Sequence, residues 1–486
     1  MKQKSLTINF ILNMLLTISS IIFPLITFPY VSRILQAEGV GKVSFATSIV
    51  TYFLIFSQLG IPTYGIRACA KVRDDKDKLT KTVQELIFIN IIMTIIAYIV
   101  FFTLFFTVER INNDSKLFLI MSSSLLFNVI GMEWLYKSLE QYTYITIRSL
   151  IFKVIGIFLM FIFVNNAEDY AIYGAITIFA VSASNILNLF NSRKFIYINK
   201  FYQNYNISKH LKAIFIFFAL SAATTIYTNM DNVILGFLKD DSAVGYYNTA
   251  VRIKMLLLSI VTSLGAVLLP RLSYYVEQGN DTEFIKLISK SFQFILFMST
   301  SITVYFVIFA KESIYLLAGS NFENSILIMQ IIMPTVIFIG FTNLFGIQIL
   351  VPLGKEKIVL YSVISGSIVS LLLNFILIPN YSFIGAAIAN LLAELVVLII
   401  QSYYIKNYLV KVINDIQFLQ VIVAIILSAL ASISVKYFYL NNFTSLIVSS
   451  FIFYIVYYIT LRLFKNKLVL EIEKQIFNII KIKKRN

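Results

Sequence analysis

Charge is scarce in this chain. Asp, Glu, Lys and Arg make up 13% of its 486 residues, about half the share usual in soluble domains. Mean hydropathy is +0.83, which excludes an ordinary soluble globular protein. There is one cysteine, Cys69, so a disulfide framework or a cysteine-based metal or redox centre is excluded. The single histidine, His210, excludes histidine-cluster metal sites in the same way. No paired carboxylates, Gly-rich phosphate loop or Ser/His/Asp arrangement stands out. Gly39-Val40-Gly41 lacks the strand-then-helix context that phosphate binding requires. No small-residue cleavage site follows the apolar run after Lys2 and Lys4, so that run reads as a retained first helix.

What the chain has is hydrophobic length. Ile, Leu, Phe and their kin bring the apolar share to 59%, in runs of the roughly 20 residues that a bilayer-spanning helix needs. The runs predict about 14 such helices, from 9–32 to 443–462, joined by short connections. The expected fold is an all-α polytopic membrane protein. With the N-terminus in the cytoplasm, most of the 40 Lys and Arg fall on the inner side, which predicts both termini inside. The net charge of +16 lies in these short loops and does not point to nucleic acid. From Leu468 to Arg485, apolar residues at Val469, Ile472, Ile476 and Ile480 alternate with lysines. That suits an amphipathic helix on the inner membrane surface, in contact with anionic lipid.

The halves echo each other. Glu38-Gly39-Val40-Gly41 with Ala46 matches Ser242-Ala243-Val244-Gly245 with Ala250, and Tyr170-x-x-x-Gly174-Ala175 matches Tyr381-x-x-x-Gly385-Ala386. A period of about 200 residues and six helices predicts two parallel six-helix lobes, related by an axis along the membrane normal. The expected division is 1–208, 209–410, and 411–486 for two extra helices and the tail.

Polar groups inside the apolar runs carry the functional argument, because a charge there is costly and faces a partner or a wet cavity. Lys153 lies two turns into its helix, and Glu394 lies near the middle of the twelfth. Asp231 closes the seventh helix. Arg33, Arg252 and Lys254 cluster at outer helix ends, where long side chains either snorkel to headgroups or line a cavity mouth. Asp231 and Glu394 suit ion coupling or pairing within the bundle. Isolated asparagines within the runs, such as Asn90, Asn128, Asn185 and Asn188, read as interhelical hydrogen bonds. Prolines at 24, 29, 62, 270, 334, 352 and 379 interrupt or end helices, as in transporters with broken spans.

Several stretches, taken in order, resemble the Wzx-type polysaccharide flippases of the MATE-like multidrug/oligosaccharidyl-lipid/polysaccharide exporter superfamily. They are Phe28-Pro29-Tyr30-Val31-Ser32-Arg33-Ile34-Leu35, Leu59-Gly60-Ile61-Pro62, the run Glu133-Trp134-Leu135-Tyr136-Lys137 to Tyr142, and Asn229-Met230-Asp231-Asn232 to Gly236. The resemblance implies two six-helix lobes around a cavity plus two extra helices. It implies export of undecaprenyl-diphosphate-linked oligosaccharide across the bacterial cytoplasmic membrane, for O-antigen, capsule or exopolysaccharide. By position, Arg33, Lys153, Arg252 and Lys254 are candidates for the anionic headgroup, and Asp231 and Glu394 for coupling. Coupling to a proton or Na⁺ gradient, and contacts with other polysaccharide assembly proteins, are likewise implied; no other cofactor is expected. A multidrug exporter of the same superfamily, a lipid II flippase, and a membrane polymerase or glycosyltransferase are the alternatives. An exporter of cationic drugs would want an acidic cavity, and a polymerase a large outer loop.

Overall fold

The computed structural model describes residues 6–413, 416–467, 469–471, 473 and 474. Every regular element among them is helical. This is the form that satisfies backbone polar groups internally where no water is available. Eleven helices among the described residues are long and apolar enough to cross a bilayer, or twelve if the bent pair Asp241–Ser263 and Leu268–Glu277 is one span. Side chains such as Phe106, Phe158, Ile376 and Phe451 stand exposed on these helices, as a lipid-facing surface requires. The basic tail expected over 468–485 lies largely outside the described residues.

By packing, the chain divides into Met1–Gly245 and Tyr246–Asn486. The first unit holds α1 (Leu6–Gln58), α2 (Ile61–Ala70), α3 (Lys76–Thr107), the short α4 (Glu109–Asn112), α5 (Ser115–Gly131), α6 (Glu133–Ser138), α7 (Tyr142–Phe163), α8 (Tyr170–Ile178), α9 (Asn185–Ser192) and α10 (Ser208–Leu238). α1 is the hub, packed on α3, α5, α7 and α10, while α2 lies on α3 and α6. Because α10 is held by α1 and α2, this packing division falls one helix beyond the repeat boundary expected at 208.

The second unit begins inside α11 (Asp241–Glu277). It continues through α12 (Asp281–Ile308), α13 (Ala310–Leu317), α14 (Asn324–Ile332), α15 (Thr335–Thr342), α16 (Glu356–Tyr404), α17 (Lys406–Ile413), α18 (Phe418–Ile433) and α19 (Asn442–Leu463). α18 and α19 form a hairpin packed on α12 and α13. Tyr305 Oη donates to the Leu446 carbonyl at 2.8 Å and Tyr457 Oη to the Phe297 carbonyl at 3.3 Å, so each phenol buried in the apolar seam has an acceptor.

Two helices are too long for one pass. α1 has 53 residues and α16 has 49, lengths of about 80 Å and about 74 Å if straight, against roughly 30 Å of hydrocarbon. Each contains one non-helical residue, Gln36 (φ 56°) and Ser382 (φ 48°). At the first break, Gln36 Nε2 donates to the Arg33 carbonyl at 2.6 Å, recovering an acceptor that the kink strips of its helical partner. After the second, Gly385 lies so close to the Leu377 and Ile378 backbone that a Cβ would meet it at 2.6 Å.

The repeated motifs meet. A Cβ on Gly41 would strike the Asp241 carbonyl, and one on Gly245 the Ala37 carbonyl. The matching glycines are thus paired points of backbone approach, which explains why that spacing recurs.

Candidate functional site

The six residues singled out from the sequence divide evenly: Arg33, Lys153 and Asp231 lie in the first unit, Arg252, Lys254 and Glu394 in the second. Lys153 is 7% exposed, on an α7 face turned to the first half of α1. Its Nζ donates to Ser19 Oγ at 2.8 Å and Ser20 Oγ at 2.9 Å. Both serines donate in turn to the Leu16 carbonyl. The ammonium is therefore oriented by neutral hydroxyls that leave its charge in place. Arg33 is exposed, its guanidinium donating to the Pro29 carbonyl one turn back. Asp231 is buried on α10, next to Asn232, which donates to Ser48 Oγ at 3.3 Å.

In the second unit Lys254 is 5% exposed and does not snorkel. Its Nζ donates to Asn390 Oδ1 at 3.1 Å. Glu394 is buried one turn further along the same helix, so residues 390 and 394 share a face. Lys254, Asn390 and Glu394 thus form one polar patch. Arg252 is half-buried, with Nε on Asn248 Oδ1 at 2.7 Å.

Sequence reasoning passed over two other clusters. In the first, Glu85 is fully buried and accepts from Lys209 Nζ at 2.7 Å, His210 Nε2 at 2.9 Å and the Asn206 amide at 2.8 Å. The other ring nitrogen of His210 accepts from Tyr64 Oη at 2.7 Å. This network ties α2, α3 and α10 together where the loop from 193 to 207 leaves the bundle. In the second, Arg110 pairs closely with Asp241, reaches Asp114 at 3.7 Å, and donates to the Gly236 carbonyl at 3.0 Å over the Phe45 ring. Both clusters are fully satisfied, which marks them as structural. Arg148, also passed over, is buried with one nitrogen on the Ser184 carbonyl at 3.2 Å. Its place near the start of a span hid its depth.

The model of the family described as polysaccharide biosynthesis protein matches residues 6–276, more than half the chain. The chain belongs to that family. Among the relatives of this polysaccharide biosynthesis protein is an Escherichia coli (strain K12) protein named for O-antigen transport. It is 27% identical over 390 residues, covering 80% of this chain and 94% of that one. Another is capsular polysaccharide biosynthesis protein CapF of Staphylococcus aureus, 24% identical over 387 residues and covering 77% and 93%. In fold, the chain is similar to the lipid II flippase MurJ in an inward closed conformation, with a TM-score of 0.71 at 18% identity over 94% of this chain and 100% of that one. An inward-facing MATE family transporter aligns with a TM-score of 0.61 at 15% identity, over 80% and 95%.

Proposed function

We propose that this chain is a flippase that carries undecaprenyl-diphosphate-linked oligosaccharide from the inner to the outer leaflet of the bacterial cytoplasmic membrane, for assembly of a cell-surface polysaccharide. A sugar diphosphate cannot cross about 30 Å of hydrocarbon unaided. The single observation that carries the reading is Lys153, a buried ammonium oriented by Ser19 and Ser20 with its charge still available. A buried cation whose hydrogen-bond partners are neutral hydroxyls is costly and is repaid by an anionic ligand such as a diphosphate. Cationic drugs would be repelled by it.

In this reading the two kinked helices α1 and α16 make two passes each and Asp241–Glu277 makes one, for fourteen passes with both termini inside. Binding and release alternate between the two faces of the membrane, and no covalent chemistry is involved. Arg33, Arg252 and Lys254 assist with the headgroup. Asp231 and Glu394 couple the cycle to a proton or Na⁺ gradient. Other polysaccharide assembly proteins receive the product.

The test is translocation of fluorescent undecaprenyl-diphosphate oligosaccharide in proteoliposomes. Crossing by wild type that fails in Arg252→Ala and Glu394→Gln supports the reading. No crossing by folded wild type, with efflux of cationic dyes instead, moves the assignment to a multidrug exporter.

A further inference from the structure

Inside the first unit lies a cavity of about 190 Å³ lined by Gln58, Asn90, Asn128, Asn185, Glu133, Lys137 and Trp134 among others, a lining that includes neither Lys153 nor Asp231. It forms where three spans break. α1 ends in a turn with positive φ at Leu59 (46°) and Gly60 (75°), α5 ends at Met132 (41°), and the helix after α8 widens into a π-turn at Phe179–Ala183. Broken helices are the usual way a membrane protein exposes polar groups to a ligand.

Asn185 is spent at both ends, its Oδ1 accepting from Arg148 at 3.3 Å, and the other carboxamides at one end only. Asn90 Nδ2 donates to the Ser57 carbonyl at 2.6 Å, Asn185 Nδ2 to the Phe127 carbonyl at 3.1 Å, and Gln58 Nε2 to Asn128 Oδ1 at 2.5 Å. The first two bonds cap carbonyls freed by the helix ends. Among the lining residues, these bonds do not use Gln58 Oε1, Asn90 Oδ1 or the amide of Asn128: two acceptors and a donor. Glu133 and Lys137 pair at 3.3 Å, so the walls carry no net charge. Trp134, its ring laid against Gly65, supplies an apolar face.

We propose that this cavity is a binding subsite for one uncharged sugar ring. Hydroxyl groups both donate and accept, which matches a mixed set of carboxamide ends, while the ring's C–H face suits an aromatic plane. The volume is below the roughly 300 Å³ at which drug-sized pockets begin and large enough for about six waters, so it accepts a monosaccharide unit and no more. With Glu133 and Lys137 paired, the lining offers no spare cation to a diphosphate. The assignment deepens the flippase reading, on which it rests for the source of the sugar: a hexose of the oligosaccharide or the same hexose free in solution.

Trp134 is the chain's only tryptophan, so emission excited at the red edge, beyond tyrosine absorption, reports on the surroundings of this one side chain. Full-length protein in nanodiscs is titrated with glucose, galactose and N-acetylglucosamine. A saturable change in wild type with at least one sugar is expected, with Kd of about 1 mM or weaker. Asn128→Ala, whose side chain holds no backbone carbonyl, weakens it about three- to tenfold, the worth of one hydrogen bond. No saturable change with either the free hexoses or the lipid-linked oligosaccharide, or an equal response in Asn128→Ala, overturns the site. The same samples, assayed for translocation, separate the two claims. Translocation without a fluorescence response sinks the subsite and leaves the flippase standing; a response without translocation does the reverse. If translocated lipid-linked oligosaccharide gives the response and free hexose does not, the subsite binds the sugar only as part of the glycan.

Discussion

Replacing Lys153 by Met separates recognition from folding. The methionine keeps most of the buried stem of α7 and deletes the charge. Ser19 and Ser20 lose a donor, but each hydroxyl already donates to the Leu16 carbonyl, so no buried donor is left without an acceptor. A buried charge is also removed, which is favourable. Stability should therefore change by no more than about 0.5 kcal/mol, read as an unchanged melting temperature in detergent. Recognition should suffer. A hydrogen bond from an ammonium to a phosphate oxygen contributes about 1.5–3 kcal/mol, which is a roughly 10- to 150-fold loss of affinity for the diphosphate. The assay is binding and translocation of fluorescent undecaprenyl-diphosphate oligosaccharide by wild type, Lys153→Met and Lys153→Arg. The arginine variant should retain part of the activity, because it keeps the charge with different geometry. Wild-type translocation by Lys153→Met would refute the assignment of the headgroup to this cation. A collapsed melting temperature would refute the claim that the two serines need no ammonium.

Three further outcomes follow from the packing. Arg110→Ala strands the buried Asp241 carboxylate and should cost about 3 kcal/mol; Asp241→Asn in the same chain should restore much of the melting temperature. Gly41→Ala drives a methyl into the Asp241 carbonyl and should destabilise by at least about 2 kcal/mol, seen as loss of monodisperse protein on size exclusion, whereas Gly279→Ala, with open space around its Cβ position but a φ of 65°, should cost only about 1 kcal/mol of left-handed backbone strain and stay monodisperse. Glu85→Gln removes the charge that Lys209 and His210 share and should lower thermal stability by about 2 kcal/mol without altering glycan selectivity; an altered selectivity would show that the cluster touches substrate.

The fold class was legible because hydropathy in runs of twenty residues leaves few other solutions, and Gly41 and Gly245 stand out in the sequence by their matching spacing to Ala46 and Ala250. That these two glycines touch was not legible, since spacing along the chain does not report proximity across it. The stretch from Glu133 to Tyr142 stood out as a motif, yet its position beside a cavity depends on the αL turn at Met132, a residue whose type gives no hint of positive φ. The asparagines were read as interhelical glue. Asn90 and Asn185 do bond neighbouring helices, but to carbonyls at broken ends, which hydropathy cannot locate. Lys153 was found because depth within a run is countable. Arg148 escapes notice because it stands near the start of a span, where a long side chain can reach the membrane surface.

Cys69 is fully buried in the core formed by α2, α3 and α6. A maleimide or spin label added to the native chain therefore meets no accessible thiol. Any cysteine introduced at a loop becomes the sole point of attachment, and two such positions give a distance that can be followed as lipid-linked glycan is supplied. The sequence needs no cysteine-free background before its motions are measured.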